Sequence, residues 1–252
     1  MTLLSATALV AAAGLIACSS DPEAKPKPRA RVLVFSKTAG FRHDSIPAGT
    51  AANQEPRSVQ RLLGHRNRES HGLRPQEPAP LRRRRLPQHH RGRAGTRQQK
   101  AFKSYIRRGG GWAGIHSAAD TEYEWPFYGR LLGAYFQSHP AVQPASIGVT
   151  DRSHPSTKAL PARWTRTDEW YSFARNPRGS VHVLATLDES TYSGGTVGAD
   201  HPIVWCHPFK GGRAWYTAGG HTIESYAEPD FRWQLLGGIL WAAGLATGDC
   251  RI

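Results

Sequence analysis

The stretch GGGWAGIHSAADTEYEWPFYGRLLGAYFQSHP, residues 109–140, decides the fold. Its three glycines end a helix-like segment, Gln98–Arg108, in which Phe102, Tyr105 and Ile106 fall on one side. WAGIH is short and apolar, as a buried strand is, and SAAD turns the chain. Upstream, Arg31–Ser36 reads as another buried strand. It runs into the polar loop KTAGFRHDS, and a helix begins at Ile46. Strand, helix and strand in alternation predict an α/β protein, a doubly wound sheet with helices on both faces. Downstream, strands are expected at about 145–150 and 181–187, then a hairpin turning at Phe209–Gly212. DFRWQLLGGILWAAG closes the domain as a helix, and no internal repeat is present.

The chain has 252 residues, enough for one sizeable domain with a core. Its formal charge of +14 would favour a polyanionic partner if it were spread over the surface. It is not: Gln54–Gly95 holds eleven Arg against three Glu, so +8 of the +14 comes from one segment. That segment, with APLRRRRLPQHHRGRAG at 79–95, has no apolar strand where the sheet needs one. It also lacks Ile, Lys, Thr, Tyr, Phe, Trp, Met and Cys. All but Ser58, Asn67 and Ser70 are types whose codons can begin with C or G. A GC-rich gene read one base out of frame leaves this bias. One permitted encoding of 79–95, shifted by one base, reads RRYDAVVFLNTTGDVL, a buried-strand pattern followed by a polar turn. Residues 54–97 are therefore expected to be frameshifted and irregular. The alternatives are a solvated basic loop or a nucleic-acid patch. No aromatic is interleaved with the arginines, so a stacking platform for bases is absent and no nucleic acid is expected.

The first 18 residues, an apolar run of small residues ending LIAC, read as an export signal with a lipobox. Cys18 would be the lipidated residue and the only membrane anchor, with 19–30 a linker to a domain over 31–250. A buried apolar helix is the bland alternative. Export permits disulfides. Cys206 and Cys250 either pair or remain two buried thiols, since sequence gives no distance.

Several motifs together resemble one family. They are VLVFSKTAGFRHDSIPAG, the stretch 109–140, RTDEWYSF, VHVLATLDESTYSGG, ADHPIVWCHPFKGGRAWYTAGGHTIESY and LLGGILWAAG. In this order they resemble the ThuA-like, trehalose-utilisation family over residues 31–53 and about 98–250. The resemblance implies a flavodoxin-like fold related to class I glutamine amidotransferases, and a role in sugar metabolism. Members often carry the label of secreted glycosyl hydrolases. In the amidotransferases a nucleophilic Cys follows the strand that WAGIH matches. Here His116 stands there, followed by Ser117, so a thiol amidotransferase mechanism lacks its nucleophile. Ser117 has no G-x-S-x-G frame to make it one.

Ligands of open α/β sheets bind beyond the carboxyl ends of strands. Three loops are placed there. TAGFRHDS offers Arg42, His43 and Asp44, or simply a capped polar turn. GIHSAAD offers His116 and Asp120, and AGGHTIESY offers His221 behind a Gly pair. Asp168 and Glu169 in TDEW add carboxylates beside Trp170 and Tyr171, or a solvated acidic turn next to a core Trp. His43, His116, Asp120, Glu169 and His221 are the catalytic candidates. Arg42, Trp125, Asp168, Trp170 and Tyr171 are the substrate-binding ones, since aromatic faces stack on pyranose rings. His43, His116 and His221 with a carboxylate would suit a divalent metal, without the H-E-x-x-H spacing that would assign one; no other cofactor is implied. His139 and His201, each followed by Pro, read as structural. The reading that results is an exported carbohydrate-active enzyme working on a glycoside or oxidised sugar by His/carboxylate acid–base chemistry. A non-catalytic sugar-binding lipoprotein and an inactive product of a frameshifted gene are its rivals.

Overall fold

A computed structural model of the chain describes residues 32–36, 41–52, 66–67 and 95–252. Cys18, the expected signal and linker, and nearly all of the arginine-rich segment lie outside the described residues. The strand expected at Arg31–Ser36 is β1, Val34–Phe35, and it pairs in parallel with β2, Arg66–Asn67. The helix expected from Ile46 is α1, Ile46–Ala52. The Gln98 helix is α2, Thr96–Arg107, whose apolar side buries Ile106.

Within the stretch 109–140, the strand WAGIH and the turn SAAD fold as read, while the helix and short strand after them carry no expectation from the sequence. The stretch gives β3, Gly111–Ile115, then a 3-10 turn over His116–Ala119 and α3, Pro126–Leu132. Proline at the start of α3 has the φ that a first helical turn needs and lacks an N–H there. After it come β4, Phe136–Ser138; β5, Gln143–Val149; β6, Arg163–Asp168; β7, Ser172–Phe173; and β8, His182–Asp188. β9, His201–Phe209, and β10, Gly212–Thr217, form the expected hairpin. Its two turn residues, Lys210 and Gly211, have φ of 51° and 94°, the left-handed pair that matches strand twist. α4, Pro229–Ala242, closes the domain.

The main sheet has the order β3-β10-β9-β8-β5-β6. The expected α/β class holds, and the sheet is mixed in direction. Among the described residues only β1–β2 and β3–β10 pair in parallel; the other ladders are antiparallel. The two-residue β9–β10 turn has no room for the crossover a parallel pair needs, so those two strands run antiparallel. The fold is mixed α/β.

Helices do cover both faces. Alternation along β10 sends Trp215 and Thr217 to one side and Ala214 and Tyr216 to the other. Thr217 donates to Gln234 of α4, while Trp205, whose ring packs against Tyr216, donates its indole N–H to the Leu132 carbonyl of α3. Trp170, Trp205, Trp215 and Tyr216 are fully buried and make up much of the core volume. No helix among the described residues is long and apolar enough to cross a membrane.

Cys206 of β9 and Cys250 near the chain end are joined in a disulfide, which settles the alternatives left open for them. The bond closes a loop 44 residues long. Chain-entropy reasoning gives such a closure about 4 kcal/mol. Cys250→Ala is expected to lower the unfolding free energy in guanidinium by about 2–4 kcal/mol, and an unchanged midpoint would refute that role.

Candidate functional site

The site lies at the carboxyl ends of β3, β6 and β10 and is assembled around one buried carboxylate. Asp168, fully buried at the end of β6, accepts five hydrogen bonds. They come from the Arg166 guanidinium, the backbone N–H groups of Glu169, Gly220 and His221, and the Ser225 hydroxyl. Burial alone would raise its pKa; the Arg166 charge, His116 and the Gly220 N–H bring it below the ordinary value. Arg166 is itself held by Glu228 and lies over the Phe231 ring at 4.5 Å. The loop after β10 can wrap this pair because it is glycine. A Cβ on Gly219 would sit 2.8 Å from the Arg166 guanidinium, and Gly220 has φ of 105°.

On this base four side chains converge. His43, His116, Glu169 and His221 present nitrogen or oxygen atoms that all lie within 4.8 Å of one another. Glu169 Oε2 is 3.2 Å from His116 Nε2 and 3.1 Å from His221 Nδ1, and these two nitrogens are 3.2 Å apart. The His43 ring stands edge-on to both other imidazoles, with centroids 5.0 Å away. Ser45 ties the His43 loop to the β10 loop by donating to the Gly220 carbonyl.

His116 is the central member. It follows β3 with φ of 45°, a left-handed conformation rare outside glycine and common at functional turns. Its Nδ1 lies 2.7 Å from the Ala218 carbonyl, an atom that only accepts, so Nδ1 carries the proton. The neutral ring therefore turns the lone pair of Nε2 towards Glu169 and His221. Tyr171 lies against the opposite side of the ring at 4.1 Å. Lone pairs of Nε2, Oε2 and a second imidazole within 3.2 Å of one another repel unless protons or a cation sit among them. The donor set, imidazoles plus one carboxylate with an outer carbonyl fixing a tautomer, is the kind that holds a first-row divalent ion.

The remaining sequence candidates separate. Tyr171 is in the site but nearly fully buried, as a wall of His116. Asp168 is the anchor described above. Asp120 accepts from the Tyr123 hydroxyl at 2.6 Å and is not among the converging ligands. Arg42 is exposed beside His43. Trp125 and Trp170 are buried, Trp125 against Phe102, Phe127 and Tyr128, and Trp170 with its N–H given to the Gln143 carbonyl. Their faces serve the core and are not open to a sugar. His201 is fully buried between the Tyr171 carbonyl and Glu189, in keeping with a structural role.

Two residues of the site were missed. His139, read as structural, places Nδ1 3.1 Å from the second oxygen of Glu169. Phe41 is 70% exposed, with its ring edge-on to His43 at 4.9 Å. His139 sits in YFQSHP, where the only legible signal is a polar residue just past a strand. Phe41 sits in TAGFRHDS, where an aromatic inside a polar loop was the available sign.

The fold and this centre define a mixed α/β protein with a His/carboxylate site at its strand ends. The model of the ThuA family, trehalose utilisation, matches residues 86–242, and the chain belongs to that family. Among solved structures, a ThuA-like protein from Bacteroides uniformis is 30% identical, with 61% of this chain and 66% of that one covered and a TM-score of 0.53. The chain thus spans just under two thirds of that relative's length. A ThuA-like protein from Parabacteroides merdae is 20% identical, covering 88% of this chain and 93% of its own, with a TM-score of 0.65, and shares the fold. No curated protein matches the sequence.

Burial works to raise the Glu169 carboxyl, but His116 and His221 beside it together hold it down at about 2. The hydrogen bond to Glu169 in turn raises His221 above its ordinary 6.5, against burial. The carboxylate contributes stability above its unfolded value of 4.5, which is lost as pH falls towards 2. The imidazolium contributes below 6.5, and that is lost as pH rises through its raised folded value. Without a bound ion, the melting temperature of the protein should therefore exceed that of Glu169→Gln most between about pH 4.5 and 6.5. A difference that does not change with pH would contradict the pairing.

Proposed function

We propose that this protein is a metal-assisted, carbohydrate-active enzyme, with a divalent first-row ion held by His43, His116, His221 and Glu169 and a glycoside or oxidised sugar as substrate. The observation that carries the reading is the convergence of His116 Nε2, His221 Nδ1 and Glu169 Oε2 within 3.2 Å of one another, with the tautomer of His116 fixed by the Ala218 carbonyl. Bound there, an ion supplies Lewis-acid polarisation of a substrate oxygen or acidifies a water. The chain does the rest. Ala218 and Tyr171 fix the His116 ring, Asp168 fixes the backbone of Glu169 and His221, and the exposed Phe41 offers a face for a pyranose ring. The trehalose-utilisation description of the family supports a sugar substrate. The Cys206–Cys250 disulfide supports export to an oxidising compartment, with lipidated Cys18 as the anchor. The parallel β3–β10 pairing supports a flavodoxin-like parentage, as does His116 at positive φ where amidotransferases carry their cysteine.

The protein as purified should hold about one divalent ion per chain. It should turn over a member of a panel of glycosides and oxidised sugars, and lose that activity on chelation and in His116→Ala. Activity that survives exhaustive chelation would overturn the metal and leave His/carboxylate acid–base chemistry. Stoichiometric sugar binding without product would make the protein a binding lipoprotein.

A second reading has its own observation. The family match begins at residue 86, although VLVFSKTAGFRHDSIPAG lies upstream of it. That supports a reading-frame error within the segment 54–97, upstream of the match. Sequencing codons 50–100 should find an extra base near Asn53 and a return of frame near Arg97; an unaltered frame would contradict it.

A further inference from the structure

Resting on the metal reading above, we infer that His139 is a positioning residue of the centre: its Nδ1–H holds Glu169 Oε1 and so commits Oε2 to the ion. Glu169 uses its two oxygens differently. Oε2 faces both His116 and His221, whereas Oε1 faces His139 Nδ1 at 3.1 Å. The same Nδ1 is 2.9 Å from the Pro140 carbonyl. A carbonyl and a carboxylate only accept, so Nδ1 carries a proton, and it does so in both charge states of the ring. This nitrogen is shared: the Pro140 carbonyl takes its hydrogen bond at 2.9 Å, and Glu169 Oε1 lies 3.1 Å away as an ion-pair partner of the same N–H.

The backbone explains how His139 reaches this place from a part of the sequence that looks unrelated. β4 pairs with β7, Phe136 opposite Phe173 and Ser138 opposite Ser172, with an irregularity between them. His139 follows β4 directly, and Glu169 precedes β7 by three residues. This two-stranded ladder therefore lays His139 alongside the segment that joins β6 to β7. Phe136 and Tyr171 set the ring's lateral position, with centroids 5.8 and 6.1 Å from it.

A purely structural role accounts poorly for this arrangement. The His139 side chain is 41% exposed, so its packing contributes little, and the Pro140 carbonyl alone would satisfy Nδ1. A terminal carboxyl torsion is soft and roughly two-fold. Without a donor on Oε1, the carboxylate can rotate and offer either oxygen, or both, to the ion. Outer partners of this kind are typically worth about 10–100-fold in metal affinity.

The test is calorimetric titration of Mn²⁺ and Zn²⁺ into the full chain after chelator treatment, with His139→Ala and His139→Asn beside the wild type. The Asn amide N–H stands near the position of Nδ1 and restores the donor. His139→Ala should bind about 10–100-fold more weakly with the ion-free melting temperature unchanged, and His139→Asn should recover most of the loss. Equal affinity in wild type and His139→Ala overturns this inference and leaves the metal centre standing. An Asn variant as weak as Ala overturns it too, since the donor would then not be the cause. A wild type that binds neither ion overturns the metal reading itself, and this inference with it.

Discussion

A charge removed from water must be matched where it sits, and Asp168 is such a charge. Fully buried at the end of β6, it is neutralised by Arg166 and bound by three backbone N–H groups and a hydroxyl. Two of those N–H groups belong to Gly220 and His221, and the third to Glu169. One carboxylate thus fixes the backbone of two residues of the site, from segments more than fifty positions apart. A buried ion pair is weak evidence for stability in general, because desolvation offsets much of the attraction. Here it buries the hydrogen-bonding capacity of a glycine loop that no side chain could follow. Asp168 reads in the sequence as a candidate for substrate contact, and it acts instead as the post on which the site is hung.

Around that post the chemistry is made by restraint of imidazoles. His116 is held in a left-handed turn, with one nitrogen committed to a carbonyl and one face against Tyr171. Little freedom remains for Nε2, and an ion or a proton arriving there meets a formed site. Preorganisation of this kind lowers the cost of binding because ordering is complete beforehand.

Much of this was legible in the sequence because the local signals are strong. Glycine stops and an apolar period mark α2 and β3, and the Phe209–Gly212 turn marks the β9–β10 hairpin. His43, His116, Glu169 and His221 were legible as residues of strand-end loops, and the structure brings those four together. β6 was not legible, since its buried face is Trp164, Arg166 and Asp168, and a polar buried face carries no hydrophobic period. β4 and β7, at three and two residues, are too short to show a period at all, and with them the place of His139 stayed hidden. Trp125 and Trp170 misled because an aromatic beside a carboxylate looks the same in sequence whether its face is open or packed. Sheet direction was legible only in part: the Phe209–Gly212 turn marks one antiparallel pair, whereas nothing local in β5, β6 or β8 says which strand each lies beside.

The central claim is that these four side chains form one metal centre. Anomalous diffraction from crystals of the protein, recorded at the absorption edges of manganese, iron and zinc, addresses it most directly. The account expects one strong peak enclosed by His43, His116, His221 and Glu169, at roughly 2.0–2.2 Å from their nitrogen and oxygen atoms. Crystals grown with each of these ions that show no anomalous peak there, with the four side chains closed on one another, would contradict it.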